Sequence, residues 1–282
     1  MITRYRRNIL LFFIPMLFTN GIFADESTTI EWPEPQELIN LSTDNWRRGL
    51  DAIRDYTYQK RRVTQVFNKN GELKISRIET YEISIIFGKQ YSKLIAIDDK
   101  PLSVKDQKNE EKKLDKFFDK QRKMSDKDRE KELEKENLKL QREIADELPQ
   151  MLSFEIIGDE ILDGYPVWVL SATPRKGYKP RSNAGKLLSK MSGKIWVTKA
   201  GYKWVKLEAD IAEDVNFGWF LFKLRKGARI EIEQVRINDE VWLPKRVLVS
   251  GAARVAVINA IVHDEATYSK YQKFTSDVKI TY

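Results

Sequence analysis

Hydrophobic residues alternate with polar residues over most of this chain. Between Leu73 and Phe87, apolar side chains share one face of a predicted strand, and lysine, serine, threonine and glutamate occupy the other face. A strand with this period of two buries one face and leaves the other in water. The alternation recurs between Ile156 and Tyr271 without an intervening helical period, so we expect a large antiparallel sheet.

Turn sequences and one shift of the apolar side delimit the predicted strands. Asn70-Gly71 and Asp163-Gly164 are typical of tight β-hairpins. The apolar side changes between Ile232 and Val235, which predicts a β-bulge near Gln234. About ten strands in one sheet must curl. The predicted fold class is therefore mainly β (α+β): a large curved antiparallel sheet or half-barrel with covering helices and a charged helical insertion.

The helical insertion is predicted at about residues 105–148. Residues 105–147 contain fourteen basic and fourteen acidic side chains, which cannot all be buried. Ser125 begins a sequence that resembles a capping box, and four apolar residues follow near helical spacing: Leu133, Leu140, Ile144 and Leu148. We expect one or two exposed helices that cover the sheet. A docking arm for an envelope protein partner is the alternative.

The first 24 residues have the order of a secretory signal peptide. Three arginines precede the apolar run Ile9–Phe18, and the small residue Ala24 occupies the cleavage position. The apolar run is too short for a permanent membrane anchor. We therefore expect export to the periplasm, with a signal peptide over 1–24, a tether over 25–44 and a single β domain over 45–282. An uncleaved N-terminal anchor or a buried helix is the alternative.

A short helix is predicted where the tether ends. The proline-rich segment 32–35 is typical of extended chain. Ser42 or Thr43 can cap the helix that follows, and three apolar residues share one of its faces: Trp46, Leu50 and Ile53.

Composition excludes several kinds of chemistry. The chain has 282 residues and no cysteine, which excludes disulfides, thiolate metal sites and cysteine nucleophiles. Seven tryptophans and an aromatic content of 11% supply large side chains for a core. The formal net charge is +8, or +5 without the three leader arginines. This excess favours plain solubility, or contact with anionic lipids and acidic envelope polymers, over nucleic acid.

No group of residues specifies a reaction. His263 has no second histidine with which to form a metal pair or a catalytic dyad. Asp159, Glu160 and Asp163 lie close together, but they flank a hairpin turn where water keeps carboxylates ionised. We therefore expect no catalytic residue, no metal, no cofactor and no enzymatic activity. A hydrolase of envelope polymers, with buried carboxylates, is an alternative.

Two segments are apolar on both faces and could hold a hydrophobic ligand. The strand Tyr165–Leu170 must be covered on both sides. Residues 217–226 combine aromatic side chains with three cations, as do membrane interfaces and lipid sites, and their pattern fits a helix or a strand. Core packing is the alternative for both segments. The candidate ligand-binding residues are Trp168, Leu170, Phe217, Trp219, Phe220 and Phe222.

Three segments resemble those of uncharacterised bacterial proteins of the outer-membrane lipoprotein-sorting type: Leu162–Trp168, Ala172–Pro180 and Asn238–Pro244. With the order of leader, helix, sheet and helical insertion, residues 45 to the C-terminus are similar to the LolA-like superfamily of lipoprotein carriers. Relatives of that superfamily include LolB and the anti-sigma regulator RseB. The resemblance implies an incomplete barrel lidded by helices, whose interior receives acyl chains without metal or cofactor. No motif locates the carriers' own site residues in this sequence.

The resemblance implies a periplasmic, non-enzymatic protein that binds or carries lipids or lipoproteins. Its partners would be acyl chains, lipids or lipoproteins. An envelope protein partner at residues 105–147 and peripheral membrane contact stay open, and nucleic acid is not expected. The alternative function is an envelope interaction or stress-sensor module that uses the charged helical arm.

Overall fold

The computed structural model describes residues 32–49, 52–140, 145–217, 222–255 and 258–274. The predicted signal peptide over 1–24 lies outside these residues, as do Trp219 and Phe220. From Pro33 onward the chain forms one compact unit. None of the helices in these ranges has both the length and the apolar character needed to cross a membrane.

The strands of the described ranges form one antiparallel sheet. They are β1 (Tyr56–Phe67), β2 (Leu73–Ile86), β3 (Lys89–Ile97), β4 (Lys100–Pro101), β5 (Leu152–Leu162), β6 (Tyr165–Pro174), β7 (Met191–Thr198), β8 (Trp204–Ile211), β9 (Val215–Phe217), β10 (Phe222–Leu224), β11 (Arg229–Ile237), β12 (Val241–Val255) and β13 (Ile258–Lys273). The strand order is β4-β3-β2-β1-β13-β12-β11-β8-β7-β6-β5, and β10 pairs with β12 and β9. The sheet is open, because β4 and β5 form its two ends. The predicted fold class is confirmed.

Along the described chain, one helix precedes the strands and the others lie between consecutive strands. They are α1 (Pro35–Gly49), α2 (Val104–Lys123), α3 (Asp126–Leu140), α4 (Leu148–Met151) and α5 (Asn183–Leu188), with a 3-10 turn at Ala52–Asp55. The charged insertion is helical, as predicted, and contains α2 and α3. The Oγ atom of Ser125 accepts the main-chain N–H of Asp128 at 3.2 Å, which confirms the predicted cap. Helix α5 was not predicted.

Helix α1 begins earlier than the sequence pattern predicted. It starts at Pro35, seven residues before the predicted cap at Ser42. Proline suits the first helical turn, because an N–H there would have no acceptor within the helix. Leu38 and Ile39 are 1% and 2% exposed and pack against the sheet, and this burial stabilises the additional turns. The segment 35–44, predicted as tether, is therefore helical.

Two irregular features of the sheet lie in β11 and β12. The register between these two strands shifts between Glu233 and Gln234, which confirms the predicted bulge. β12 continues without interruption from Val241 to Val255. Gly251 allows this continuation. Its φ is +134°, and a Cβ there would lie 2.5 Å from the Cα of Ala228.

The helical insertion packs along β3, the strand next to the short end strand β4. The rings of Phe117 and Tyr91 have centroids 4.9 Å apart, and those of Phe118 and Phe87 are 5.9 Å apart. These aromatic contacts join α2 to the β2–β3 hairpin. The charged insertion is therefore attached to the sheet through a narrow apolar side.

The predicted apolar stripe of the insertion is described in part. Leu133 lies beside the β2–β3 turn at Gly88, and Leu148 packs against the core. The side chains of Leu140 and Ile144 lie outside the described residues.

Strand β6 is buried on both faces, as predicted. Val167 and Val169 pack with Trp196 on one face. Leu170 belongs to a second cluster that includes Leu38 of α1. This end of the sheet is therefore covered by α1 on one face and by its own aromatic side chains on the other.

Candidate functional site

A cavity of about 310 Å³ lies between the C-terminal half of α1, the turn at Ala52–Asp55 and the sheet. Residues of β8, β11 and β12 line its sheet side. The volume is at the lower end of the range of small-molecule sites, about 300–1,000 Å³. The cavity thus lies where helix α1 meets the sheet.

Three tryptophans are the largest apolar side chains of the lining. Trp46 comes from α1, Trp204 from the start of β8 and Trp242 from β12. Trp242 also meets the ring of Tyr165 edge to face, with centroids 5.0 Å apart. Because indole rings are large and rigid, they can present an apolar wall to a ligand. The aliphatic residues of the lining are Ile53, Ile232, Val241 and Ala52.

A polar side chain ties the helix to the sheet at the cavity. Asn45 Nδ2 donates to the carbonyl oxygen of Gly201 at 2.7 Å, which joins α1 to the β7–β8 turn. Arg48 Nη2 donates to Asn45 Oδ1 at 2.8 Å. Arg48 and Lys203 both line the cavity, one from the helix and the other from the end of this turn.

The cavity carries an excess of positive charge among its described residues. Burial, and then the charge of Arg48, lower the pKa of Lys203. Within the described ranges neither of these two cations forms an ion pair. The acidic residue of the lining, Glu240, is paired with Lys273 outside it, and this hydrogen bond lowers the pKa of Glu240. Because Glu240 is paired with Lys273, its charge does not neutralise Arg48 or Lys203.

The candidate residues on β6 lie outside this cavity. Leu170 is fully buried in the core beneath α1. Trp168 stacks on Tyr202, with ring planes 10° apart and centroids 6.0 Å apart. Both positions are near α1, but neither residue lines the cavity. Their role in ligand binding stays a prediction.

The aromatic candidates of segment 217–222 are described less completely. The backbones of Phe217 and Phe222 lie in the short strands β9 and β10, which pair with each other. Their side chains lie outside the description, as do Trp219 and Phe220 entirely. The ligand-binding role of these four residues also stays a prediction.

The cavity tryptophans were not among the predicted candidates, although two sequence signals pointed to their positions. Trp46 and Ile53 were predicted to share a helical face, and both line the cavity. Trp242 lies within Asn238–Pro244, one of the segments that carry the resemblance. Trp204 has no such signal, because it stands at the boundary of a turn and a strand.

The acidic residues near the Asp163-Gly164 hairpin do not form a carboxylate pair. Each of the three is exposed and contacts a different partner. The contacts are Asp159 with Lys199 Nζ, Glu160 with Trp196 Nε1 at 2.7 Å, and Asp163 with Lys245 Nζ at 3.0 Å. This arrangement of two ion pairs and one hydrogen bond suits a structural role better than acid–base chemistry, which needs a carboxyl group in an apolar pocket.

His263 is 38% exposed, with Nε2 3.9 Å from Glu265 Oε2. Across the described part of the chain, no three side chains of the metal-binding types come together.

A wider depression of about 940 Å³ lies beside α1, next to α4. Arg47 crosses it and contacts Asp44 and Asp146 at 2.8 Å each. Most of its other lining side chains are polar, so an acyl chain would gain little by entering it. The tryptophan-lined cavity is therefore the better candidate site.

No family model matches the chain, and no curated protein matches it. Among solved structures it is similar to a domain named for outer membrane lipoprotein sorting from Vibrio parahaemolyticus, with 13% identity and a TM-score of 0.35 over 85% of this chain and 94% of that one. A DUF1329 family protein from Desulfovibrio piger shows 12% identity and a TM-score of 0.35. The similarity covers 88% of this chain and 96% of that protein. A LolA superfamily protein from Nitrosomonas europaea shows 12% identity and a TM-score of 0.30. The similarity covers 87% of this chain and 95% of that protein. At these values no residue role carries over.

Proposed function

We propose that this protein is a non-enzymatic binding or carrier protein of the periplasm, which holds an acyl chain of a lipid or lipoprotein between α1 and the sheet. The observation that carries the proposal is the cavity lined by Trp46, Trp204 and Trp242. The tryptophans and aliphatic side chains of the lining suit a hydrocarbon chain, which needs little directional recognition. The leader over 1–24 supplies the route of export.

The energetics of acyl-chain burial are sufficient for this role. Each buried CH₂ contributes about 0.8 kcal/mol, so ten methylenes contribute roughly 8 kcal/mol before the cost of ordering the chain. Because these costs are still to be subtracted, the value sets an upper limit of about micromolar affinity for ten methylenes, and such weak binding permits both loading and release. A carrier requires reversible binding, and an apolar cavity provides it without cofactor or covalent chemistry.

Helix α1 would act as the cover of the ligand. Its N-terminal half packs on the core through Leu38 and Ile39, and its C-terminal half borders the cavity through Trp46. A longer ligand would extend beneath the helix toward Leu170 and Trp168. The sequence-predicted candidates on β6 would then line an enlarged site.

The test combines lipid analysis with a cavity-filling variant. We expect lipid extracted from the purified mature protein to appear by mass spectrometry, and a fluorescent fatty acid to bind the delipidated protein. Ala52→Phe places a ring in the cavity and should weaken that binding at least tenfold. Ala212→Phe is the matched control, because Ala212 is exposed and lies outside the cavity lining.

The alternative function uses the α2–α3 arm as a docking surface for an envelope protein. The observation that favours it is the large number of charged side chains that α2 and α3 expose. A wild-type protein that carries no lipid and binds no fatty acid would reject the carrier proposal. The interaction module would then be the leading function.

A further inference from the structure

We propose that the cavity selects amphipathic anions, whose acidic headgroup is held between Arg48 and Lys203 while the acyl chain contacts the tryptophans. This inference rests on the function proposed above. It adds the chemical class of the ligand, which acyl-chain burial alone leaves open.

The two cations are held at the cavity by separate contacts. Arg48 is oriented by its hydrogen bond to Asn45, which itself binds the β7–β8 turn. The backbone of Lys203 is fixed at the end of that turn. Its N–H donates to Thr198 Oγ1 at 3.0 Å, and its carbonyl oxygen accepts the N–H of Thr198 at 2.8 Å. Because Thr198 is buried, the position of Lys203 is set by the sheet.

Arg48 and Lys203 differ in this respect from a cation of β12 that several carboxylates neutralise. On β12, Arg246 contacts Glu231 at 2.9 Å, Glu233 at 3.4 Å and Glu265. Arg48 and Lys203 have no such partner among the described residues, and Glu240 across the cavity is paired with Lys273.

The two cations beside the apolar cavity repel each other. An anion bound between them would offset this electrostatic repulsion. Arg48 is exposed and Lys203 is half-buried, so screening by water is weaker at Lys203 than at the open surface. Burial and the charge of Arg48 already lower the pKa of Lys203, and a bound anion would oppose both effects.

The geometry suits a carboxylate or a phosphate that is attached to a hydrocarbon chain. The planar guanidinium of arginine can donate two parallel hydrogen bonds to either group, and the ammonium of lysine adds a point charge. The tryptophan wall next to the cations would hold the chain. A fatty acid and an anionic phospholipid both have this combination of parts.

The experiment compares a charged probe with a neutral one of the same shape. The probes are cis-parinaric acid and its methyl ester, titrated into the delipidated mature protein at neutral pH with fluorescence detection. We expect wild type to bind the acid more tightly than the ester. Arg48→Gln and Lys203→Gln should each weaken acid binding by roughly tenfold. Ester binding should change less than twofold.

Four controls define the result. Lys176→Gln removes an exposed cation outside the cavity and should leave both affinities unchanged. Arg48→Lys should retain part of the preference for the acid. Thermal melting of each variant checks that the fold is intact. Added salt should weaken binding of the acid and not of the ester.

The outcomes separate this inference from the function on which it rests. If wild type binds neither probe, the carrier function itself fails. If wild type binds acid and ester equally, and Arg48→Gln and Lys203→Gln do not change acid binding, acyl binding stands and anion selection is wrong. Displacement of the probe by lysophosphatidylglycerol, compared with displacement by unlabelled fatty acid, distinguishes a phosphate headgroup from a carboxylate. The competitor that displaces the probe at the lower concentration identifies the headgroup that the site prefers.

Discussion

The main-chain N–H of Leu94 donates a hydrogen bond to Glu110 Oε2 across 3.2 Å. Leu94 lies in β3, where the short strand β4 pairs only with residues 96–97 of the described chain. Glu110 is 4% exposed, and Lys113 Nζ contacts its other oxygen. The charged insertion therefore satisfies an edge N–H that would otherwise be open to pairing with another chain.

We predict that Glu110→Ala lowers the free energy of unfolding by about 1–3 kcal/mol, because the buried N–H of Leu94 loses its acceptor. Urea unfolding of the purified protein measures this change. Glu111→Ala is the matched control on the exposed side of the same helix and should change stability by less than about 0.5 kcal/mol. Equal losses in the two variants would show that the contact with Leu94 does not stabilise the fold.

A second buried carboxylate, Glu147, holds the chain before α5. It accepts hydrogen bonds from Tyr178 OH, the main-chain N–H of Arg181 and Ser182 Oγ. Burial raises the pKa of Glu147, but these hydrogen bonds outweigh burial and hold the pKa below its ordinary value. A carboxyl group whose pKa is lowered by folding stabilises the protein above its unfolded-state pKa, and this contribution is lost as the pH falls through the folded-state pKa.

We therefore predict that Glu147→Gln destabilises the protein most at neutral pH and progressively less below about pH 4. Melting temperatures of wild type and variant, measured from neutral to acidic pH, test the expectation. Glu155→Gln, at an exposed position of β5, should show no such convergence. A difference in stability that stays constant down to the lowest pH would contradict the assigned role of the charge.

Gly251 of β12 lies so close to Ala228 that a side chain at this position should destabilise the fold strongly. Gly251→Ala combines a positive φ with a Cβ that would lie 2.5 Å from the Cα of Ala228, so the backbone must shift. We expect a loss of at least about 2 kcal/mol in unfolding free energy. Gly158→Ala is the control, because nothing lies within 4 Å of a Cβ there and its φ is not positive. A Gly251→Ala protein as stable as this control would refute the close approach.

The leader predicts a defined mature N-terminus. If residues 1–24 are a cleaved signal peptide, the exported protein should begin at Asp25. Intact-mass measurement or N-terminal sequencing of the periplasmic fraction tests this. A protein that retains Met1 and sediments with membranes would instead support the uncleaved anchor.

Local patterns predicted the type of most elements but not all their limits. The alternation from Leu73 to Phe87 predicted β2, and the change of side near Gln234 predicted the bulge, because side chains alternate strictly across a strand. The start of α1 was placed too late. The sequence around Pro35 favours extended chain, whereas burial of Leu38 and Ile39 on the sheet favours helix.

The sequence by itself determined the class of fold, the helical nature of the charged insertion and the covering of β6 on both faces, because these depend on periodicity and composition along the chain. Tertiary structure alone decided which aromatic residues meet at one cavity and which cations stand beside them. Trp46, Trp204 and Trp242 are far apart in sequence, and only the strand order with the path of α1 brings them together. Likewise, Arg48 and Lys203 become neighbours only through the contact between Asn45 and the β7–β8 turn. Contacts of this kind arise from packing between elements, which no local pattern encodes.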